Sequence, residues 1–479
     1  MNDLNQNLQT KFPHLEVNIV NFQKIKRHHI LGSEFNSNTR ENMLQILKSN
    51  HKVGDYFDLI SSTISFIKEP VYIYDLTHSL SNFLEDVDLT QENLNSNKKE
   101  VIENDFIISR LRSYLKEMAV VQPKNYRQLV STEYLIYRSK TKLLSPNTLM
   151  IFCLSSYVQT ILNYSQYGTE HPRFYEFIIN EMPIPKVIFE LNFEIDSMMI
   201  QAYKFLEQSK GLYKEAQNML YIELGLNPDN PLQSILDFHP TPKEQDSKLT
   251  QKSLKQNLNI SIRTLKESLG TSGRLDSEYY QSKYDKIESY IKNYKEGFNK
   301  LELIEIKDSN FTPKAKEKYR YIELANIGAN GSISAPLEEF GKDLPTRARR
   351  IVKEGDLIVS SIEGSLSSCA LITQEFDDCI VSTGFYILKS LHINSETLLV
   401  LFKSQVFQEY LKKFPSGTIL TAISKDELQN ILIPKIDFKT QEEIATLIQE
   451  SFALRAKAKA LLEEAKIKVE TKIKDASLK

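Results

Sequence analysis

The chain has 479 residues, of which 41% are hydrophobic and 25% charged, and its formal net charge is −2. This length exceeds that of one ordinary domain, and the composition is that of a globular protein. Its apolar runs are shorter than a membrane helix needs, its N-terminal segment lacks the pattern of a secretory signal, and its three cysteines form no CxxC pair. We therefore expect a cytoplasmic protein without disulfides.

Five segments of the first half return in the same order in the second half. VIENDFIISR is similar to IVKEGDLIVSS, with Asp105 and Ser109 each 251 residues before Asp356 and Ser360. VSTEYLIYRS matches VSTGFYILKS at the same separation, and YGTEHPRFYEFIINEMPIP matches SGTILTAISKDELQNILIP at 249. Upstream, LGSEFN matches LDSEYY, and VYIYDL matches RYIELANI. Ordered matches at a nearly constant separation favour two copies of one domain over chance similarity.

A long helical segment follows each copy. Residues 191–225 and 438–479 contain no proline and carry apolar or small side chains at alternating three- and four-residue steps. One column is mostly Ala or Ser, so we expect the two helices to pack closely and antiparallel, although each could instead pack only on its own domain. The residues expected in this seam are Ile195, Met198, Ala202, Phe205 and Leu212 in the first helix, and Ile444, Leu447, Leu454, Ala458 and Leu461 in the second.

Residues 226–252 contain four prolines, which is typical of a linker. The expected order is therefore a domain at 1–190, a helix at 191–225, a linker at 226–252, a second domain at 253–437 and a second helix at 438–479.

The motifs of several enzyme classes are missing. A base methyltransferase needs an Asn/Asp-Pro-Pro-aromatic loop, and the nearest string, at 227–231, has the wrong third and fourth residues. The Gly-Lys pair ending at Lys342 lacks the upstream glycine of a Walker A loop. Asp229, Asp246 and Lys248 fit a nuclease pattern only within the Pro-rich segment, away from any strand. We therefore expect no catalytic residue, metal site or cofactor in this chain.

Basic and polar side chains suited to DNA cluster in each copy, although such a cluster is more often a solvated face. Arg and Lys neutralise phosphates or bond guanine edges, and short polar side chains contact bases or backbone. Because the net charge is near zero, partners would have to share the phosphate contacts if the basic residues are not clustered. The expected DNA-binding residues are Lys98, Lys99, Arg110, Arg112, Lys116, Arg127, Thr169 and Arg173 in the first copy, and Arg347, Arg349, Arg350, Ser361, Glu363, Ser365, Thr418 and Lys425 in the second.

The repeated segments resemble a known family. YIELANI, IVKEGDLIVSSIEGS, IVSTGFYILKS and FPSGTILTAISKDELQNILIPKIDFKTQEEIATLI look like the target-recognition domain of type I restriction-modification specificity subunits, with the helix that follows it. RLDSEYY is similar to the usual beginning of that domain. The resemblance covers nearly the whole chain and is stronger in the second copy. The first copy departs from the second where Asn104, Glu133 and Arg110-Leu-Arg112 stand for Gly355, Gly384 and Ser361-Ile-Glu363. Two domains that read unlike half-sites would differ in this way.

The resemblance implies an α/β (α+β) fold, with two repeated target-recognition domains of twisted mixed sheets joined by two long antiparallel helices as a coiled-coil-like spacer. It implies a non-catalytic subunit that recognises double-stranded DNA, each domain reading one half of a bipartite, asymmetric target. The seam helices would dock two modification subunits, which use S-adenosylmethionine to methylate adenine. Two restriction subunits, which use ATP with magnesium, would be optional further partners. Such partners would account for the near-neutral charge.

Two alternatives stay open at this point. The same modules occur as a DNA-specificity subunit paired with a fused nuclease-methyltransferase chain, as in some type II systems. A scaffold or inhibitor that binds the modification enzyme without reading DNA would instead carry acidic stripes, whereas the loops here carry interleaved basic residues.

Overall fold

The structure is a computed structural model in which two compact units are formed by residues Met1–Leu206 with Arg455–Lys479 and by Glu207–Leu454. The residues described are 2–15, 18–20, 22–91, 94, 96–238, 261–269, 273–301, 304–307, 309–328, 330–334, 336–390, 392–417 and 421–478. None of the helices in these ranges combines the length and hydropathy of a membrane span.

The first unit contains ten strands and seven helices in the described ranges, and shares two long helices with the second. Its helices are α1 (Asn2–Lys11), α2 (Phe22–His28), α3 (Asn38–Ile46), α4 (Val53–Tyr56), α5 (Pro146–Leu154), α6 (Ser156–Asn163), α7 (Phe177–Asn180) and the beginning of α8 (Lys186–Glu223). Its strands are β1 (Phe57–Ile60), β2 (Val71–Tyr74), β3 (Leu89–Thr90), β4 (Lys98–Val101), β5 (Phe106–Ser109), β6 (Met118–Val120), β7 (Arg127–Ser131), β8 (Tyr134–Ser139), β9 (Gln166–Tyr167) and β10 (Arg173–Phe174).

The second unit has ten strands and six helices in the described ranges, besides the long helices. Its helices in the described ranges are α9 (Pro231–Leu236), α10 (Leu265–Glu267), α11 (Ser282–Lys292), α12 (Ser395–Lys403), α13 (Gln405–Leu411), α14 (Lys425–Asn430) and the beginning of α15 (Phe438–Ser477). Its strands are β11 (Phe298–Lys300), β12 (Glu305–Lys307), β13 (Lys318–Ile322), β14 (Leu337–Phe340), β15 (Ala348–Ile351), β16 (Leu357–Ser360), β17 (Cys369–Leu371), β18 (Ile380–Ser382), β19 (Phe385–Lys389) and β20 (Leu432–Pro434).

The four-stranded sheets of the two units have the same topology, whereas the two-stranded sheets, β9 with β10 and β11 with β20, join different elements. The first unit has sheets ordered β1-β8-β5-β6 and β3-β2-β7-β4, and the second has β12-β19-β16-β17 and β14-β13-β18-β15. In each unit one pair is parallel, β2 with β7 and β13 with β18, and the other pairs of these sheets are antiparallel. Phe106 lies opposite Tyr137, and Leu357 opposite Leu388, so both partners are displaced by 251 residues. The expected α+β fold with repeated mixed sheets is confirmed.

The central strand of each unit, β5 or β16, is buried along its whole length. Helices α5 and α12 contact the edge strand beside it and cover one face. Both begin at a side-chain cap, Ser145 accepting from the Thr148 amide at 3.0 Å and Asn394 from the Thr397 amide at 2.8 Å. Burying each large apolar side chain of such a strand contributes about 1.5 to 3 kcal/mol.

A buried aspartate fixes the turn before each central strand. Asp105 accepts from the Ile102 amide at 2.9 Å, and Asp356 accepts from the Lys353 amide at 2.9 Å. The residue before each aspartate has a left-handed backbone, with φ of 65° at Asn104 and 83° at Gly355. Asparagine is among the residues that adopt this conformation most readily after glycine, so the substitution between the copies keeps the turn.

The two long helices run antiparallel within the first unit. Glu194 of α8 forms an ion pair with Lys468 of α15 at 2.6 Å. The ammonium of Lys457 of α15 lies 6.0 Å from the centre of the Phe205 ring of α8. The residue numbers of the contacts therefore increase along α8 as they decrease along α15, which is the pattern of antiparallel helices.

The second unit shows the same direction. Ser209 and Ser451 are in hydrogen-bond contact at 2.8 Å, and Thr440 donates to Glu223 at 3.4 Å. The alternative in which each helix packs only on its own domain is therefore wrong.

Of the two columns of side chains predicted to form the seam between the helices, the structure buries one and replaces the other by a neighbouring column. Ile195, Ala202, Ile444 and Ala458 are fully buried as expected. The expected large column is only half-buried, and consists of Met198, Phe205, Leu212, Leu447, Leu454 and Leu461. The buried column lies one residue later, at Met199, Tyr213, Leu220, Ile448, Leu462 and Val469. Side chains three and four residues from a small position lie on either side of it, and both columns are mostly apolar here, so periodicity could not choose between them.

The helix and linker boundaries also differ from the expected ones. Helix α8 begins at Lys186, before the expected 191, and ends at Glu223. The segment expected as a linker contains α9, whose Ile235 joins the buried core of the second unit together with Leu226. Pro231 occupies the first turn of α9, where its missing N–H is tolerated. Residues 239–252 of the expected linker lie outside the described residues.

Candidate nucleic-acid interface

In each unit, the chain that leaves the central strand pairs with a distant segment. In the first unit the Phe174 amide donates to the Arg110 carbonyl at 3.1 Å, and the Arg112 amide donates to the Pro172 carbonyl at 2.8 Å. We call residues 110–117 and 166–174 the first junction.

The second unit repeats this pairing. The Ile423 amide donates to the Ser361 carbonyl at 2.8 Å, and the Glu363 amide donates to the Thr421 carbonyl at 3.1 Å. We call residues 361–368, 416–417 and 421–423 the second junction. Thr418, also expected to bind DNA, lies outside the described residues.

A buried serine turns the chain into each junction. Ser109 accepts from the Leu111 amide at 3.2 Å, and Ser360 accepts from the Ile362 amide at 3.1 Å. A hydroxyl that bonds the backbone two residues ahead mimics a turn and releases the chain from the strand ladder. The repeated serines recognised in the sequence therefore build the framework of the junctions.

Two arginines of the first junction share one carboxylate. Glu133 accepts from Arg173 Nη2 at 2.7 Å and from Arg110 Nε at 3.2 Å. The hydrogen bonds from Arg173 are the main cause of the lowered pKa of Glu133. Arg110 also bonds Glu176 at 2.5 Å. The charges of Arg110 and Arg173 are thus balanced by two carboxylates.

The unbalanced cations of the first junction are Arg112 and Lys116. Arg112 Nη2 lies 3.1 Å from the His171 Nδ1 atom, and Lys116 is exposed. Within the described part of the chain, no carboxylate lies within 4 Å of either charged group. Thr169 is exposed in the same hairpin. Arg112 and Lys116 therefore offer positive charge that can attract phosphate, beside an exposed carboxylate, Glu170, in the same hairpin.

One cation of β4 and one cation of β15 donate to a backbone carbonyl of the neighbouring sheet. Lys99 is buried and donates to the Tyr134 carbonyl at 2.8 Å, and burial lowers its pKa. Arg350, 251 residues later, donates to the carbonyl of Phe385, the counterpart of Tyr134. Both groups tie β4 or β15 to the neighbouring sheet. Buried Lys99 is therefore not the surface contact for DNA that was expected, whereas Arg350 is half-buried.

Lys98 lies on the other face of β4 from Lys99, because successive strand side chains alternate between faces, and 15% of its side chain is exposed. Arg349 instead lies at a bulge of β15, between Ala348 and Arg350. The Lys98 ammonium lies 3.7 Å from Asp75. Arg349 is half-buried and Arg347 exposed, and no described carboxylate lies within 4 Å of either. Arg127 is held by Glu100 and Glu69, each at 2.7 Å, and these bonds raise its pKa.

The second junction carries an acidic and a small polar side chain where the first carries cations. Glu363 accepts from the Thr421 hydroxyl, and Ser361 is buried and donates to the Gly384 carbonyl at 2.9 Å. Ser365 bonds Ser360 at 2.9 Å. Lys425 is exposed in the first turn of α14, outside the junction.

Three residues of these surfaces were missed by the sequence reasoning. Glu133 neutralises Arg110 and Arg173, His171 contacts Arg112, and Glu117 is a buried carboxylate within the first junction. The repeat shows that Glu133 stands where the second copy has Gly384. Its partners Arg110 and Arg173 are distant in sequence and come close to Glu133 only in the folded chain. Among the described side chains, no group of three His, Cys, Asp or Glu residues is placed to hold a metal ion.

The chain matches solved structures over most of its length, although no protein-family model and no curated protein matches its sequence. A chain from a structure of the type I R-M system is 16% identical, with coverage of 89% of this chain and 96% of that chain and a TM-score of 0.27. The HsdS subunit from Thermoanaerobacter tengcongensis is 14% identical, with coverage of 89% and 95% and a TM-score of 0.26. The type I S subunit from M. genitalium is 12% identical, with coverage of 88% and 94% and a TM-score of 0.35. The chain is similar to type I S subunits.

Proposed function

We propose that this chain is the specificity subunit of a type I restriction-modification complex. It recognises double-stranded DNA, does no chemistry itself, and reads one half of a bipartite, asymmetric target with each copy of the repeated domain. One observation carries the proposal: two copies share the same junction framework but present different side chains on it.

The junction chemistry supports unlike half-sites. In the first copy, Arg112 and Lys116 offer donors that bind phosphate or guanine edges. In the second copy, Glu363 offers a carboxylate, which accepts from the amino group of cytosine, while Arg349 and Arg347 supply positive charge nearby in sequence. Two copies of one domain with different side chains at their junctions fit an asymmetric target better than a palindromic one.

The surface of the long helices supports docking of modification subunits. The residues expected for docking from the seam, such as Ala202 and Ala458, are buried between the helices and hold the pair together. Phe193 and Ile200, one heptad apart on α8, and Ile467 on α15 are instead exposed by 84%, 45% and 60%. Exposed large apolar side chains on a helix commonly mark a protein interface. The methyl donor S-adenosylmethionine, and ATP with magnesium for restriction, would be bound by the partners.

The test is a domain exchange read out by methylation. The wild-type chain and a hybrid carrying residues 15–186 of another such subunit are each expressed with a modification subunit that is active with the wild type. Methylated adenines are then mapped across the host genome. We expect a bipartite motif for the wild type and a change in one half only for the hybrid. Loss of the motif when the chain is omitted is the control.

Two results would overturn the proposal. Methylation at the same sites without the chain would show that it does not supply specificity. Methyl transfer by the purified chain alone would show that it is an enzyme.

A further inference from the structure

We infer that the turn Ser113–Leu115 reads bases in the first half of the target, through apolar contacts of Tyr114 and Leu115. This inference rests on the function proposed above and names the side chains by which the first copy would act. Neither residue was among those expected to bind DNA.

The turn presents two apolar side chains to solvent. It is a single 3-10 turn in which Tyr114 is exposed by 57% and Leu115 by 37%. Exposed aromatic and leucine side chains side by side at a loop tip lose favourable burial, so they indicate a surface that is covered when a partner binds.

The backbone holds this turn in one conformation. Arg112 and Lys116 flank it in the left-handed region, with φ of 47° and 54°, which costs free energy for residues other than glycine. Ser113 donates to Asn163 at 2.6 Å and accepts from Gln166 at 2.5 Å. Asn82 donates to the Lys116 carbonyl at 2.7 Å. A tip that is already ordered loses little entropy on binding, which favours selective recognition.

The charge around the turn identifies DNA as the occupant. Residues 110–117, RLRSYLKE, contain three cations and one acidic side chain, Glu117, which is buried. Arg110 is paired with Glu133 and Glu176, whereas Arg112 and Lys116 on the two sides of the turn have no described carboxylate within 4 Å, and Glu117 acts on Arg112 only from a longer distance. Two cations that flank an apolar tip can hold phosphates while the tip meets base edges, where apolar groups contact the thymine methyl group or wedge between bases.

The other copy shows that this position varies while the framework is kept. The corresponding 3-10 turn is Glu363–Ser365, with Gly364 and Ser365 at its tip. The next residue, Leu366, corresponds to Leu115 but is only 5% exposed. The same turn is therefore polar in one copy and apolar in the other, as two readers of different bases require.

The experiment is a selection of DNA duplexes with a randomised central region, using the full-length chain in complex with the modification subunit of the domain-exchange test. The variants are Tyr114→Ala and Leu115→Ala, and the matched controls are Tyr126→Ala and Leu143→Ala. Both control residues are exposed in the first unit, by 44% and 66%, and lie outside the junction. Thermal unfolding of all four variants checks that the fold is kept.

We expect the wild-type chain to enrich a bipartite motif. The two test variants should lose preference at one or two adjacent positions in one half of that motif, by roughly tenfold, with the other half unchanged. The controls should enrich the wild-type motif.

The failures of the two proposals look different. If the wild type enriches a motif and both test variants enrich the same one with equal preference, the turn does not read bases, although the proposed function stands. If the wild type enriches no motif, sequence-specific DNA binding fails, and the role of the turn fails with it.

Discussion

The hydroxyl oxygens of Ser209 and Ser451 lie 2.8 Å apart in the second unit, both fully buried between α8 and α15. Ser451 also donates to the Ser209 carbonyl at 2.9 Å. A side chain larger than serine at this contact would force the helices apart. We expect Ser451→Leu to lower the free energy of unfolding by about 1 to 3 kcal/mol, measured by denaturant unfolding. Ala453→Leu, at an exposed position two residues away, should change it by less than about 0.5 kcal/mol. Equal effects of the two substitutions would contradict close packing at the serine pair.

Removing a glycine from the interior of α8 should stabilise the protein. Gly211 is exposed, and a Cβ atom added there would meet no other atom within 4 Å. We expect Gly211→Ala to raise the free energy of unfolding by about 0.5 to 1 kcal/mol. Gly225, where φ is 74°, is the contrasting position, because alanine adopts that backbone with strain. Gly225→Ala should lower the unfolding midpoint in the same assay.

Glu117, a buried carboxylate of the first junction, should make the stability of the protein depend on pH. It is buried, with one carboxylate oxygen that has no hydrogen-bond partner, and burial raises its pKa. The folded state therefore holds this proton more tightly than the unfolded chain, and stability falls as the pH rises from the ordinary glutamate value through the raised one. Glu117→Gln should stabilise by about 1 kcal/mol at pH 8, and this gain should shrink as the pH falls through the raised pKa and be absent below the ordinary glutamate pKa.

Glu133 is the matched control with the opposite sign. Its pKa is lowered, chiefly by the hydrogen bonds from Arg173, so its contribution to stability is present above the ordinary glutamate pKa. That contribution is lost as the pH falls through the lowered value. Glu133→Gln should therefore destabilise at neutral pH and have less effect in acid. Thermal unfolding midpoints measured between pH 3 and 8 check both variants, and parallel pH profiles would contradict the assignment.

Arg349 and Arg350 are neighbours on β15 and should respond differently to alanine. Arg350 donates to the Phe385 carbonyl and packs over the Tyr386 ring at 5.7 Å, so Arg350→Ala should destabilise by about 1 to 3 kcal/mol. Arg349→Ala should leave stability within about 0.5 kcal/mol of the wild type but weaken DNA binding. If Arg349 contacts phosphate, the slope of the logarithm of the binding constant against the logarithm of the salt concentration should become shallower by about one. Unchanged DNA affinity and salt dependence would show that Arg349 lies outside the interface.

Arg112 should matter for DNA binding more than Arg110. Arg110 is already paired with Glu133 and Glu176, whereas Arg112 contacts only His171 among the described polar side chains outside its own turn. We expect Arg112→Ala to weaken binding by about 1 to 3 kcal/mol at one base position, or uniformly if it holds phosphate. Arg110→Ala should chiefly lower stability. Fluorescence anisotropy with a duplex carrying the motif, together with thermal unfolding, separates the two effects.

Much of the architecture followed from the sequence. The separation of 251 residues between Asp105 and Asp356 reappears in the pairing of Phe106 with Tyr137 and of Leu357 with Leu388, because a repeated pattern of strands can satisfy its hydrogen bonds only in the same register. The long helices were also predictable. Apolar residues spaced alternately three and four positions apart fall on one face of an α-helix, and in no other regular structure do they form a continuous apolar face.

The sequence alone established two copies of one α+β domain, two long helices and a basic segment after the central strand of the first copy. The tertiary structure decided which of two adjacent cations faces inward, because Lys98 and Lys99 differ by one strand position and the register sets their faces. It also decided that Arg110 and Arg173 are neutralised by Glu133, while Arg112 is not. Partners that lie tens of residues apart are brought together by the sheet, and no local pattern records which charge will meet which.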